Sequence, residues 1–116
     1  MLGGKPLQIA TRLLGTTTVF DVTGDIDLAH SPEVRKALLG VFRDKKTPKV
    51  VMNMSMVRYI DSSGVASLVE ALKASRDAGT RFLLVGLSPA AREVLQLSRL
   101  LKIFETFDTE EAALAG

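Results

Sequence analysis

Pro48-Lys49-Val50-Val51-Met52-Asn53-Met54 opens, and Arg81-Phe82-Leu83-Leu84-Val85 closes, the stretch whose reading decides the fold. Each holds a short unbroken apolar run, the pattern of a strand covered on both faces rather than one with a side in water. Between them Val65, Leu68, Val69 and Leu72 recur at helical spacing, and Ala78-Gly79 supplies a helix terminus. Strand, helix and strand in that order make two parallel neighbours joined by a crossover, which is right-handed. The chain is therefore expected to be an α/β domain.

Upstream, Ser31-Pro32-Glu33 reads as a helix start, with Ser31 as the capping hydroxyl and proline at the first helical position, where its missing N–H costs nothing. Val34, Ala37, Leu38, Val41 and Phe42 then form the inward stripe of that helix. Earlier still, Leu7, Ile9 and Thr11 alternate with Gln8, Ala10 and Arg12, and a β-branched run from Thr16 to Thr23 follows Gly15, which predicts an antiparallel hairpin. Gly24-Asp25-Ile26-Asp27 is an acidic loop between hairpin and helix. Downstream, Ser88-Pro89 repeats the cap-and-proline device, with Ala91, Val94 and Leu95 inward. Phe104 to Phe107 predicts a short edge strand, and Asp108-Thr109-Glu110-Glu111 opens a last helix running to Ala115. The expectation is one domain over residues 1–116, its core about 7–115, built on a four- to five-stranded mixed sheet with about four helices.

With 47% hydrophobic and 24% charged residues in 116, the chain has the composition of a self-folding globular domain. A net charge of +2 gives nucleic-acid binding little support, and the basic stretch from Arg43 to Lys49, lacking interleaved aromatics, reads as a solvated connection before it reads as an anion patch. Cysteine is absent, which removes disulfides, thiolate metal sites and cysteine nucleophiles. Met1 to Pro6 lacks a signal-peptide core, and no run reaches the ~18 apolar residues of a membrane span, so a cytoplasmic location is expected. His30, the single histidine, reads as a loop residue. No nucleophile elbow, phosphate loop or spaced ligand cluster accompanies it, so neither an enzyme, a cofactor nor a metal site is expected.

The most unusual local feature is Ile60-Asp61-Ser62-Ser63-Gly64, where the loop after the third strand enters the second helix. Three potential caps stand in a row, although a helix needs one. Either Asp61 or Ser62 caps and its neighbours are merely tolerated, or a hydroxyl is displayed at a helix N-terminus whose amides and dipole can accommodate a phosphate. Gly64, without a side chain, is expected to leave the helix start open to another protein. Of the residues just before it, Met54 reads as core, while Met56 and Tyr59 fit core and contact surface equally.

Tyr59 to Leu68 resembles the phosphorylation motif of anti-sigma factor antagonists of the STAS domain family. Gly24-Asp25-Ile26-Asp27 is similar to that family's acidic loop, and Leu87-Ser88-Pro89-Ala90 through Leu101-Lys102-Ile103 to its third helix and following turn. The resemblance implies that Ser62 is the phosphorylated serine, with Asp25, Asp27, Asp61, Ser63 and Gly64 facing the partner. Arg99 departs from the pattern, since relatives often carry glycine there, and this puts a left-handed turn after the third helix in question.

The resemblance further implies a binding switch without catalysis. The unphosphorylated protein would sequester an anti-sigma factor that is also a serine kinase, phosphorylation would end the association, and a serine phosphatase would restore it. A phosphate of charge about −2 lying ~7 Å from a partner carboxylate costs about 1 kcal/mol in water and nearer 5 at an effective dielectric of ~20. About 1.4 kcal/mol changes affinity tenfold. The alternative within the family is a subunit that binds the ATPase of a lipid-transport ABC complex, with Ser62 as a cap or contact residue.

Overall fold

The computed structural model describes residues 6–44 and 47–116. In chain order it contains β1 (Gln8–Leu14), β2 (Thr17–Thr23), α1 (Ser31–Asp44), β3 (Lys49–Met56), α2 (Ser62–Ala78), β4 (Arg81–Val85), α3 (Pro89–Leu97), a 3-10 turn (Leu101–Ile103), β5 (Glu105–Phe107) and α4 (Glu110–Ala115). The strands lie side by side in sequence order, β1 antiparallel to β2 and all later neighbours parallel. Among the described residues this five-stranded mixed sheet with four α-helices falls within the expected four- to five-stranded sheet with about four helices.

Strictly sequential order has a geometric consequence. Crossovers of one hand that skip no strand put every connecting helix on the same face, so α1, α2 and α3 form a single layer. Beneath it lies the main core, where Phe20, Met52, Met54 and Leu84 of the sheet meet Leu38, Leu68 and Leu95 of the helices. The other face carries Val19, Val51, Leu83 and Val85, covered through Ala113 of the short α4. That helix is held by charge as well as by packing. Lys49 Nζ donates to the carbonyls of Ala113, Leu114 and Gly116, Arg81 also donates to Gly116, and Arg12 bridges Asp21 to Glu110. Cations at a helix's carbonyl end are favourable against its dipole. Hydrogen bonds that Arg12 donates to Asp21 and then to Glu110 raise its pKa above the ordinary value.

Lys49, the last residue of the basic stretch, thus has a structural task, while Arg43 is exposed near the end of α1; Lys45 and Lys46 lie outside the described residues. Two further local expectations change. Ser31 is not the cap of α1 but its first helical residue, buried, with its N–H on the Asp27 carbonyl at 2.8 Å. The acidic loop carries Asp27 to the mouth of the helix, and its carboxylate takes the His30 N–H instead. After α3 the left-handed turn survives without glycine. Arg99 adopts φ 59°, and the N–H groups of Arg99 and Leu100 return to the carbonyls of Gln96 and Leu95. A non-glycine residue in that region costs about 1 kcal/mol.

Candidate functional site

The site hangs from the carboxyl ends of β2 and β3, whose parallel ladder is interrupted between Asp21 and Thr23 but does not end there. Gly24 N–H donates to Met56 O at 3.2 Å, Ile26 N–H to Tyr59 O at 3.0 Å and Asp61 N–H to Ile26 O at 3.3 Å, with an isolated parallel bridge between Ile26 and Ile60. Both isoleucines are buried, so hydrophobic anchoring and main-chain pairing hold the two loops together.

The first turn of α2 rests on this bridge. A Cβ added at Gly64 would lie 2.4 Å from Ile26 O and 2.5 Å from Ile60 Cγ1. The sequence reading gave this glycine an outward role. In the structure Gly64 is buried, and the side chain it lacks is one the interior has no room for.

Asp61 is the cap of α2. Its Oδ1 accepts from Ser63 N at 2.9 Å and Gly64 N at 3.1 Å, and its Oδ2 accepts from Leu28 N at 3.1 Å, so one carboxylate secures both the helix start and the neighbouring loop. With capping accomplished one residue earlier, Ser62 is the first helical residue and is exposed. Ser63 is half-buried, and its carbonyl accepts from Ser67 Oγ at 3.1 Å; the same hydroxyl reaches Ser31 O at 3.4 Å and so ties α2 to α1.

Asp27 Oδ1 accepts the His30 N–H at 3.0 Å and pairs with His30 Nδ1 at 2.8 Å. Partial desolvation pushes the Asp27 carboxyl up, but these hydrogen bonds and the charge interaction with His30 outweigh it and leave the group below the ordinary aspartate value. Asp25 is half-buried, and among the described residues its carboxylate makes no hydrogen bond or ion pair. Asp25, Asp27, Asp61, Ser62 and Ser63 therefore share two stitched loops and one helix start, with Gly64 beneath them.

The same geometry alters the electrostatics. The amides of Ser63 and Gly64 at this helix start are already occupied by Asp61, so a phosphate on Ser62 would stand beside a carboxylate.

One apolar feature was missed in the sequence. Leu28, 75% exposed, lies on the same loop pair as Met56 at 62% and Tyr59 at 51%, whereas Met54 is fully buried in the core. The open question over Met56 and Tyr59 is thus resolved toward the surface. The signal for Leu28 was a leucine in a loop, outside any strand or helix period. Among the described residues no group of three histidine, cysteine or acidic side chains converges as a metal site, and no helix is long and apolar enough to cross a membrane.

A family model described as the STAS domain matches residues 8–113. The chain is 30% identical over 89 residues to an anti-sigma-B factor antagonist of Listeria monocytogenes, covering 77% of each chain. It resembles the crystal structure of an anti-sigma factor antagonist from Mycobacterium paratuberculosis with TM-score 0.85 and 25% identity, over 95% of this chain and 92% of that one. The Bacillus protein SpoIIAA shares the fold in its unphosphorylated form (22% identity, 95% of this chain and 96% of that one) and its phosphorylated form (23%, 95% and 97%), both with TM-score 0.71.

Proposed function

The chain belongs to the STAS domain family, and from that premise we propose that it is an anti-sigma factor antagonist, a protein-binding switch set by phosphorylation of Ser62. The observation that carries this reading is the division of labour at α2, where Asp61 caps the helix and the Ser62 hydroxyl is left exposed. Around it Leu28, Met56 and Tyr59 offer apolar surface whose burial against a partner is worth about 1–2 kcal/mol per side chain. Asp25, Asp27 and Ser63 complete the partner-facing rim.

In this scheme the bound anti-sigma factor is the kinase. The Ser62 oxygen attacks the γ-phosphorus of ATP held by that partner, ADP leaves, and the hydroxyl proton passes to a base of the kinase. The phosphate then repels acidic groups across the interface and meets Asp61 on its own side. A separate phosphatase hydrolyses the ester, in the cytoplasm where sigma factors act. The chain itself supplies no cofactor and no catalytic group. SpoIIAA keeps one fold with and without phosphate, which supports a switch acting through charge rather than refolding.

The test is affinity capture from the native host with wild type, Ser62→Ala and Ser62→Asp, read by mass spectrometry. A kinase-like anti-sigma factor should be retained by the first two and weakened at least tenfold, about 1.4 kcal/mol, by Ser62→Asp. Recovery of an ABC ATPase with all three variants would overturn the proposal.

A further inference from the structure

Among the described residues, β1 forms one edge of the sheet with seven residues, whereas the opposite edge, β5, has three. β1 pairs in unbroken register with β2 and contains no proline or bulge, and its one charge, Arg12, is held by Asp21 and Glu110, so it keeps few of the devices that stop an edge from accepting another strand. Its helix-side face is only partly covered, because the crossover helices connect β2 through to β5 and none passes above β1; Ile9 packs against the margin of the main core, whereas Thr11 and Leu13 are exposed. Ile9, Thr11 and Leu13 floor an open groove of about 1290 Å³ beside α1, and Leu13 is 72% exposed.

The side-chain order of β1 fits a second copy of itself. Antiparallel pairing centred on Thr11 sets Ile9 opposite Leu13 of the second copy and Thr11 opposite its own counterpart on the helix side. On the other side it sets Gln8 opposite Leu14 and Ala10 opposite Arg12. No pair is like-charged, and each Arg12 stays engaged by Asp21 and Glu110 of its own chain. Moving the centre to Arg12 would oppose two guanidinium groups, which is unfavourable, and moving it to Ala10 would replace the Ile9–Leu13 pair with Ile9–Thr11.

We propose that this chain forms an isologous dimer through antiparallel pairing of β1 with β1 of a second copy, centred on Thr11, so that the two sheets become one. The Ser62 loops hang from the ends of β2 and β3 and take no part in the pairing. A single strand edge is a small interface, below about 1,200 Å² in total, so dissociation is expected in the micromolar range or weaker.

Sedimentation velocity from about 1 μM to about 1 mM should show a concentration-dependent monomer–dimer equilibrium. Leu13→Lys, at a position the monomer leaves exposed, should weaken it at least tenfold. Because the chain has no cysteine, Thr11→Cys introduces a single thiol, and a short bis-maleimide should link two copies through it. Ala90→Cys, on the exposed side of α3, should remain monomeric under the same conditions. A wild type that stays monomeric at the highest concentration, a dimer indifferent to Leu13→Lys, or equal linking at both positions would each overturn the proposal; the first result would leave the edge to a strand from a different protein.

Discussion

Ser62 and Ser88 both stand at the entrance of a helix, yet their hydroxyls meet opposite fates. Ser88 is the cap of α3 and its Oγ accepts the Ala91 N–H at 3.1 Å, so the group is consumed by the helix it starts. At α2 the aspartate one residue earlier does the capping, and Ser62 slides into the first helical position with its hydroxyl unclaimed. What distinguishes a displayed serine from a structural one is therefore the residue before it.

Gly64→Ala should have the largest effect, because the new methyl falls within 2.5 Å of Ile26 and Ile60 atoms and the helix start has to shift. A loss of about 3 kcal/mol in urea unfolding is expected, with the partner surface disturbed as well. Asp61→Ala should cost about 1–2 kcal/mol. It should also raise hydrogen exchange at Leu28, Ser63 and Gly64 together, since one carboxylate serves all three amides. With that carboxylate gone, Ser62 should behave more like Ser88 and become a poorer phosphate acceptor.

The matched pair Ser88→Ala and Ser62→Ala sharpens the contrast. The first should cost about 1 kcal/mol and the second no more than about 0.5. Equal losses in denaturant titrations would mean that the Ser62 hydroxyl is structurally engaged after all.

The smallest effect concerns Asp27. Its folded-state pKa is depressed, so its contribution to stability is present above the unfolded value and is lost as pH falls through the folded one. The difference in Tm between wild type and Asp27→Asn should accordingly be constant near neutrality and shrink on acidification below the ordinary aspartate range.

The parallel strands were legible because Val50 to Met52 and Phe82 to Val85 are covered on both sides, which leaves an unbroken apolar run in each. What covers the second side was harder to see. α4 itself was expected, but its seat depends on Arg12, Lys49 and Arg81, whose partners lie far away in sequence. Ser31 misled for a similar reason, since Ser-Pro-Glu satisfies every local rule for a cap, yet the loop places Asp27 there first. At the site, the acidic loop and the hydroxyl-bearing helix start were recognisable as motifs. Their stitching through Ile26 and Ile60 was not, because main-chain pairing leaves no side-chain signature. Gly64 looked like an opening for the same reason, its close neighbour Ile26 being invisible from within the motif.

That stitching has a consequence for how such proteins diversify. Backbone amides and carbonyls fix the loops in place, and the side chains of Leu28, Met56 and Tyr59 contribute little to holding them. Those three positions can be exchanged without moving Ser62, so under the proposed switch, changes there would alter which partner docks while the phosphate-accepting hydroxyl stays where it is.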